Sequence, residues 1–342
     1  MKKRFSSLSA ARIEAAGKAM RKGGGGVRRV ALVHDWLTNM GGAERVVESL
    51  LDVYPNAPVY TAMCDRGNLS QKLAAADIRP SFLQKKAKRG KANHSKYLPF
   101  MPAAFESFDL NEYDLVISSA SCCAKGVVTN PQTMHVCYCH TPPRYVWEQF
   151  YAYTAGMPSL KKRLLTYYMS AFRAWDHAAA QRPDFLIANS HNVAGRIFKH
   201  YRRKSAVIYP PVDTAFFTPG DVDGDFFLCV SRLVAYKRVD LAVEAFSRLN
   251  LPLVVIGEGP EGARLSRLAG PSVRFLGRQS DEAVRDHFRR CRAFVFPGEE
   301  DFGITPVEAQ AAGRPVIAFG RGGARETVLD GQTGMFFAEQ TA

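Results

Sequence analysis

Two carboxylates that could bind hydroxyl groups lie close together in the last fifth of the chain. Glu300 and Glu308 are separated by seven residues, and this segment predicts a helix start, with Thr305 as N-cap and Glu308 closing a Thr-x-x-Glu capping box. The free backbone N–H groups of a helix start attract an anion such as phosphate. Because a carboxylate repels phosphate, we expect Glu300 to bind the hydroxyls of a sugar or ribose. Two simpler interpretations stay open: Glu308 as a capping residue only, and Glu299 to Asp301 as a solvent-exposed acidic loop.

Cations that suit a diphosphate are predicted in the same half of the chain. Arg232 and Lys237 follow the apolar run 226–230, which predicts a buried strand. Arg232 offers a planar fork and Lys237 a point charge, and both suit phosphate oxygens. Basic residues after a strand are usually surface groups. Together with Glu300, however, they indicate a nucleotide-sugar site in which cations hold the diphosphate and carboxylates hold the hydroxyls.

The first half of the chain offers further candidates. Gly41 and Gly42 follow the apolar run 30–34, and they either let a ligand approach the backbone closely or form only a tight turn. They do not make the Gly-x-Gly-x-x-Gly pattern of a dinucleotide site. His140 ends a predicted buried strand before a proline-stiffened loop, where a lone histidine is more often structural than functional.

The elements that must position these residues alternate between predicted strands and helices in both halves of the chain. The candidates follow predicted strands, and ligands of open parallel sheets bind at the carboxyl ends of the strands. We therefore predict the α/β class, with two Rossmann-like domains facing each other across a cleft. Consecutive prolines within 209–213 and a change in the sign of the charge place the boundary. This gives a flexible basic arm over 1–26, an acceptor-side domain over 27–209 and a nucleotide-sugar-binding domain over 210–342.

Positive charge is concentrated in the first part of the chain. Residues 1–210 hold 31 Lys and Arg against 14 Asp and Glu, whereas residues 211–342 hold 15 against 18. Two basic clusters, 85–91 and 161–163, are followed by aromatic and aliphatic residues, which suits an anionic membrane surface. A nucleic acid, or solvent alone, is the alternative for this face.

The remaining composition favours a cytoplasmic protein. The seven cysteines, an odd number, are scattered over the chain, and the first 26 residues lack the continuous apolar stretch of a secretory signal. No uninterrupted apolar run of the sequence is long enough to span a bilayer. The cysteines and histidine within 137–140 fit no common zinc spacing, so we expect no metal site.

The segment around Glu300 resembles a known family. Two glutamates separated by seven residues, with Phe302-Gly303-Ile304 between them and Gly-x-Pro-Val after them, are similar to the signature of the family 4 (group 1) retaining glycosyltransferases of GT-B fold. Gly41-Gly42-Ala43-Glu44 fits a loop of the same family, and the resemblance runs from about Arg29 to the last residue. The chain looks most like bacterial GDP-mannose-dependent mannosyltransferases of surface polysaccharide assembly.

The resemblance assigns a role to each candidate. It implies that Glu300 holds the donor sugar and that His140 contacts this sugar near the reacting carbon, which makes these two the catalytic residues. Arg232 and Lys237 would clamp the donor diphosphate, and Glu308 would hold the ribose. The implied donor-binding residues are Gly41, Gly42, Arg232, Lys237, Arg278, Phe302, Gly303, Ile304, Thr305 and Glu308.

The resemblance also implies an activity. A hexose, with mannose favoured, would move with retention of configuration from a nucleoside diphosphate sugar, with GDP-mannose favoured, to a glycan or lipid-linked acceptor, without a metal or other cofactor. The enzyme is expected in the cytoplasm, attached to the inner face of the membrane through its basic half, with no nucleic-acid partner. The alternatives are a related sugar-nucleotide epimerase or phosphorylase, and a non-enzymatic protein that binds nucleic acid or another anionic surface. Because family members usually continue through further closing helices, we expect a C-terminal truncation.

Overall fold

The computed structural model describes residues 29–86, 94–220 and 224–342. The predicted basic arm over 1–26 and most of the basic cluster 85–91 lie outside these residues. Contacts divide the chain into two compact units. Unit 1 ends at Ala188 and resumes over Ala194–Ile208, and unit 2 takes Asn189–Val193 and Tyr209–Ala342.

Unit 1 contains, within its described residues, a seven-stranded parallel sheet of order β3-β2-β1-β4-β5-β6-β7. The strands are β1 Val30–His34, β2 Val59–Thr61, β3 Ile78–Pro80, β4 Leu115–Ala120, β5 Met134–Cys139, β6 Phe185–Ala188 and β7 Ala206–Val207. The α-helices are α1 Gly42–Val53, α2 Gln71–Ala75, α3 Met101–Glu106, α4 Arg144–Trp147, α5 Phe150–Tyr153, α6 Ser159–Ala179 and α7 His191–Tyr201, which begins in unit 2. Short 3-10 helices cover Arg66–Asn68, Phe82–Lys86, His94–Phe100 and Ala124–Gly126.

Unit 2 repeats this architecture over its described residues, with a six-stranded parallel sheet of order β10-β9-β8-β11-β12-β13. The strands are β8 Phe227–Val230, β9 Leu253–Ile256, β10 Val273–Gly277, β11 Ala293–Phe296, β12 Val316–Phe319 and β13 Gly334–Phe337. The α-helices are α8 Val239–Leu249, α9 Gly262–Leu268, α10 Asp281–Arg290, α11 Ile304–Ala311 and α12 Ala324–Thr327, and a 3-10 helix covers Ala235–Lys237.

The apolar strands of the sequence are buried on both faces, as a parallel sheet between two helical layers requires. Every residue of β4 is buried. In β11, Phe294 packs into one hydrophobic cluster with Leu228, and its neighbour Val295 packs into a second cluster with Cys229. Successive side chains of a strand point to opposite faces, so β11 fills two cores at once.

Each sheet has one point at which the strand order reverses. In unit 1 the chain runs outward from β1 to β3 and then returns to the other side of β1 with β4. In unit 2 it runs outward from β8 to β10 and returns beside β8 with β11. In open α/β sheets the loops at such a switch point diverge and leave a crevice for a ligand. The structure therefore directs attention to the loops after β1 and β4, and to those after β8 and β11.

The predicted α/β class is confirmed, since both described sheets are parallel and helices follow their strands. Among the described residues, no helix combines the length and the apolar character that crossing a bilayer would require.

Candidate functional site

The loops after β8 and β11 meet at an ion pair in unit 2. Lys237 lies at the end of the 3-10 helix that follows β8, and its Nζ pairs with Glu300 Oε1 in the loop after β11. The two side chains are only 21% and 15% exposed. Gly298 permits this approach, because a Cβ there would lie 2.8 Å from the carbonyl oxygen of Lys237. The structure thus brings together two residues that are predicted from the sequence to bind the two ends of one ligand, Lys237 the diphosphate and Glu300 the sugar hydroxyls.

The ion pair is held in its charged form. Burial lowers the pKa of Lys237, but the neighbouring Glu300 carboxylate more than offsets this, and the net result is a raised pKa. Lys237 therefore stays protonated at neutral pH. Tyr236 adds to the same cluster, since its ring centroid lies 5.5 Å from Lys237 Nζ and its hydroxyl accepts a hydrogen bond from Arg232 at 3.2 Å. No sequence pattern points to Tyr236, although this residue lies between the two predicted basic residues.

Two glycines support the loop that carries Glu300. Gly323 N donates to the carbonyl oxygen of Glu300 at 2.9 Å. A Cβ at Gly322 would lie 2.3 Å from that oxygen, and one at Gly323 would lie 2.3 Å from Phe302 Cα. Any side chain at either position would push the loop away, so these glycines fix the backbone of Glu300 against the loop that follows β12.

The predicted capping box at this loop is wrong. Helix α11 starts at Ile304 with Gly303 as its N-cap, and no described side chain caps it. Gly303 has a φ of +86°, a left-handed conformation that glycine adopts easily. The N-cap therefore lies at Gly303, two residues before the predicted cap at Thr305. Thr305 therefore lies in the first turn. Glu308 is buried further along the helix, so it is not the third residue of a capping box.

Two other predicted residues of unit 2 lie in different places, Phe302 in the loop that carries Glu300 and Arg278 after a more distant strand. Phe302 stacks on Tyr209 with ring centroids 5.3 Å apart, so its side chain serves packing while its backbone forms the loop. Arg278 follows β10, two strands away from β8, where its N–H donates to Glu258 Oε1 at 3.3 Å. A contact of Arg278 with a base stays a prediction.

A second polar cluster lies at the switch point of unit 1. His140 Nε2 is 2.8 Å from Ser119 Oγ, and His34 Nδ1 is 3.1 Å from both Ser119 O and Ser119 Oγ. His34 Nε2 lies 3.6 Å from Glu44 Oε1. Gly41 precedes helix α1, and a Cβ there would lie 3.0 Å from Glu44 Oε2. Gly42 opens that helix.

His140 and the two glycines are predicted from the sequence, but the residues that join them are not. His34 and Ser119 are 85 positions apart, yet they are direct partners in the pairing of β1 with β4. Both stand at or near the carboxyl end of a predicted strand. This shared strand-end position was the one signal in the sequence that could have pointed to His34 and Ser119. That they are neighbours follows only from the pairing of β1 with β4.

The two histidines of this cluster have opposite protonation preferences. Burial, aided by the positive charge of His34, lowers the pKa of His140 to about 4. For His34, burial also lowers the pKa, but hydrogen bonding to Glu44 and the charges of Glu44 and Asp35 outweigh it, and the pKa is raised. His140 is therefore neutral at pH 7, whereas the pKa of His34 lies above its usual value.

Asp35 is a buried carboxylate of the same region with a structural function. It accepts hydrogen bonds from the backbone N–H groups of Ser121 at 2.6 Å, Cys122 at 2.8 Å and Ala124 at 2.7 Å. These donors belong to the turn after β4. Asp35 thus ties the end of β1 to that turn and holds Ser119 in place.

Two doubly wound parallel-sheet units, one with a cation and a carboxylate paired at its switch point, define the class of GT-B glycosyltransferases. Solved structures with the same fold include Anabaena HepE in complex with UDP and glucose, at a TM-score of 0.65 and 17% identity over 92% of this chain and 87% of that one. Sucrose-phosphate synthase from Thermosynechococcus elongatus follows at a TM-score of 0.66 and 16% identity, over 91% and 86%.

The chain belongs to glycosyltransferase family 4. Residues 40–216 match Glycosyltransferase Family 4, and residues 214–342 match Glycosyl transferases group 1. A D-inositol 3-phosphate glycosyltransferase of Geodermatophilus obscurus is 33% identical in an alignment 187 positions long that covers 44% of this chain and 41% of that protein. The alpha-1,3/1,6-mannosyltransferase ALG2 of Dictyostelium discoideum is 27% identical in an alignment 281 positions long that covers 66% of this chain and 64% of that protein. The chain thus spans between two fifths and two thirds of the length of these relatives.

Proposed function

We propose that the chain is a retaining glycosyltransferase. It transfers a hexose from a nucleoside diphosphate sugar to a glycan or lipid-linked acceptor, and it needs no metal cofactor. The observation that carries this proposal is the Lys237–Glu300 pair at the switch point of unit 2, next to the start of helix α11. A cation beside a carboxylate fits a ligand with phosphates at one end and hydroxyls at the other.

The pair suggests how the donor is bound and activated. Without a ligand, Lys237 and Glu300 neutralise each other. With a donor, Lys237 and Arg232 turn to the diphosphate, and Glu300 accepts hydrogen bonds from sugar hydroxyls. As the glycosidic bond breaks, negative charge grows on the leaving diphosphate. Preoriented cations and the N–H groups of a helix start stabilise such charge, and this is where we assign the rate enhancement.

The donor is proposed to be GDP-mannose. The name of the Dictyostelium relative specifies mannose, which supports the sugar. The Anabaena structure contains UDP and glucose, which favours uridine and glucose as the second candidate. The base and the sugar are therefore the variables of the first experiment.

The test combines donor binding with product stereochemistry. The chain is mixed with each of several nucleoside diphosphate hexoses, and its melting temperature is measured, because a ligand that binds only the folded state raises it. We expect GDP-mannose to give the largest shift. The released or transferred sugar is then followed by proton NMR, and the α-linked donor should give an α-configured first product. A β product, or no shift and no turnover with any donor, would contradict the proposal.

A surface in unit 1 supports attachment to an anionic membrane. The three most exposed large apolar side chains among the described residues are Tyr167 at 83%, Tyr151 at 78% and Leu160 at 73%. Leu160 and Tyr167 share one face of helix α6 with Leu164, because residues four and seven apart lie on the same side. We call this surface, completed by the basic residues 161–163, the basic apolar face.

The positive charge of the basic apolar face favours an anionic partner. Residues 149–175 contain no Asp or Glu, whereas they contain four Lys and Arg. Exposed apolar side chains next to cations are typical of helices that lie on anionic lipid. We propose that the face binds the inner surface of a membrane that contains anionic lipid, and that this brings the enzyme to a lipid-linked acceptor.

Removing the charge of the face should release the protein from vesicles. Each Lys or Arg near an anionic surface contributes about 1 kcal/mol, so the triple variant Lys161→Gln, Lys162→Gln and Arg163→Gln should bind on the order of 100-fold more weakly. The measurement is sedimentation with vesicles of phosphatidylcholine containing phosphatidylserine. The control is the triple variant Lys199→Gln, Arg202→Gln and Lys204→Gln, which removes the same charge near the end of helix α7. Equal losses in both variants, or no binding by the unaltered chain, would contradict the assignment.

A further inference from the structure

We infer that Glu44, His34 and Ser119 form a positioning chain that keeps the proton of His140 on Nδ1, so that this nitrogen offers an N–H to a hydroxyl or ring oxygen of a sugar substrate. The protonation state is a property of unit 1 alone. Its use on a sugar rests on the proposed function.

The position of each proton follows from the hydrogen-bond partners. The backbone carbonyl of Ser119 can only accept, so the 3.1 Å contact with His34 Nδ1 requires a proton on that nitrogen. The same N–H reaches Ser119 Oγ at 3.1 Å, and this hydroxyl therefore accepts from His34. A hydroxyl can accept twice, but if His140 Nε2 also donated to it, the proton of the buried Ser119 hydroxyl would have no acceptor among the described residues. His140 Nε2, at 2.8 Å, therefore accepts the Ser119 proton. A neutral imidazole that accepts at Nε2 carries its proton on Nδ1.

The charges around the chain support the same arrangement. Glu44 faces the other nitrogen of His34 at 3.6 Å and favours its doubly protonated form, in which Nδ1 is always a donor. His34, Asp35 and Glu44 are the charged groups that act on His140, and the burial of the ring favours its neutral form. Asp35 is committed to backbone N–H groups of the turn after β4, so its carboxylate does not compete for the imidazole protons.

The chain also explains part of the Gly-Gly-x-Glu pattern. Glu44 is only 5% exposed. A Cβ at position 41 would lie 3.0 Å from Glu44 Oε2, so a side chain there would press against the carboxylate. Gly41 therefore leaves room for the carboxylate that faces His34 and raises its pKa. This is a role inside unit 1, in addition to any contact of the glycine loop with a ligand.

The consequence is a defined chemical role for His140. Among the described residues, its Nδ1 has no hydrogen-bond partner, whereas its Nε2 is occupied by Ser119. His140 is therefore a neutral donor, suited to a hydroxyl or ring oxygen, and it is not a general base at Nε2. Ser119, His34 and Glu44 are positioning residues that act through it.

The direct test is nitrogen NMR of the whole chain with ¹⁵N-labelled histidine, assigned with a His140→Gln variant. At pH 7 the unaltered chain should show the Nδ1–H tautomer for His140, and Ser119→Ala should shift it toward Nε2–H. Ser119→Thr, which keeps the hydroxyl, should restore the original signal. An Nε2–H tautomer in the unaltered chain, or no change in Ser119→Ala, would overturn the inference.

The matched control lies one residue away. Ser118 Oγ is 2.8 Å from His135 Nε2, so Ser118→Ala removes an equivalent buried serine–histidine contact without touching the positioning chain. It should leave the His140 signal unchanged. If transfer is active, Ser119→Ala should lower kcat about tenfold, the effect of one misdirected hydrogen bond, with little change in KM. If no transfer is found but the tautomer is as expected, the proposed function fails and the positioning chain stands.

Discussion

Replacing Glu300 with glutamine is expected to lower kcat/KM for transfer by about 100-fold or more while the chain stays folded. The Glu300 carboxylate is a strong hydrogen-bond acceptor for sugar hydroxyls, and its pairing with Lys237 places it at the switch point of unit 2. Glutamine keeps the shape of the side chain, and its amide oxygen can still accept from Lys237. The loss should therefore fall on the sugar, and the melting temperature should change little.

The adjacent acid provides a matched control for this substitution. Glu299→Gln removes the same charge from the same loop, and we expect less than a threefold change in kcat/KM. Both variants are compared under identical donor and acceptor concentrations. Full turnover by Glu300→Gln would show that transfer does not need this carboxylate. An equal loss in Glu299→Gln would show that the charge of the loop matters and that Glu300 has no special role.

Replacing Lys125 with methionine should destabilise unit 1 by about 3–5 kcal/mol, the usual result of leaving one charge of a buried pair without its partner. Lys125 Nζ lies 2.5 Å from Asp176 Oδ1, and the two side chains are 1% and 0% exposed. Asp176 Oδ2 also accepts from Trp147 Nε1 and Tyr201 OH, each at 2.8 Å. This network joins helices α4, α6 and α7 to the turn after β4, so its loss should loosen the frame that holds Ser119 and His140.

Tryptophan fluorescence isolates the unfolding of unit 1, because all three tryptophans of the sequence, at positions 36, 147 and 175, lie in it. The measurement is a urea titration of the unaltered chain and of Lys125→Met. Lys72→Met is the matched control, since Lys72 pairs with Asp52 at the surface, with side chains 41% and 69% exposed. Exposed pairs contribute about 0–1 kcal/mol, so the control should shift the midpoint slightly. Equal shifts in the two variants would contradict the structural role of the buried pair.

The sequence predicted the parts of the fold that depend on local pattern. The apolar run at 226–230 corresponds to β8, because a continuous apolar run is typical of a strand that is covered on both faces of its sheet. The predicted convergence of Lys237 and Glu300 also held, since both follow strands that prove to be neighbours. Strand-end position was thus sufficient to predict that these two residues lie together.

The predictions that failed or were not made depend on backbone conformation and on which strands pair in the sheet. The Thr-Pro dipeptide at 305–306 has the composition of a helix start, but the left-handed turn at Gly303 begins the helix earlier. Composition alone does not show which of the two signals prevails. The pairing of His34 with Ser119 depends on the order of strands in the sheet, which no local pattern encodes.

The central claim is that Lys237 binds the phosphates and Glu300 binds the sugar of one donor molecule. Isothermal titration calorimetry tests it most directly, with GDP and GDP-mannose, or UDP and UDP-glucose if that pair binds, as ligands of the unaltered chain, Lys237→Met and Glu300→Gln. We expect Lys237→Met to bind the nucleoside diphosphate at least about tenfold more weakly, as the loss of a charge-assisted contact implies. Glu300→Gln should bind the diphosphate as well as the unaltered chain does but lose the added affinity for the sugar. If both variants weaken both ligands to the same degree, or if neither variant weakens either ligand, the claim is wrong.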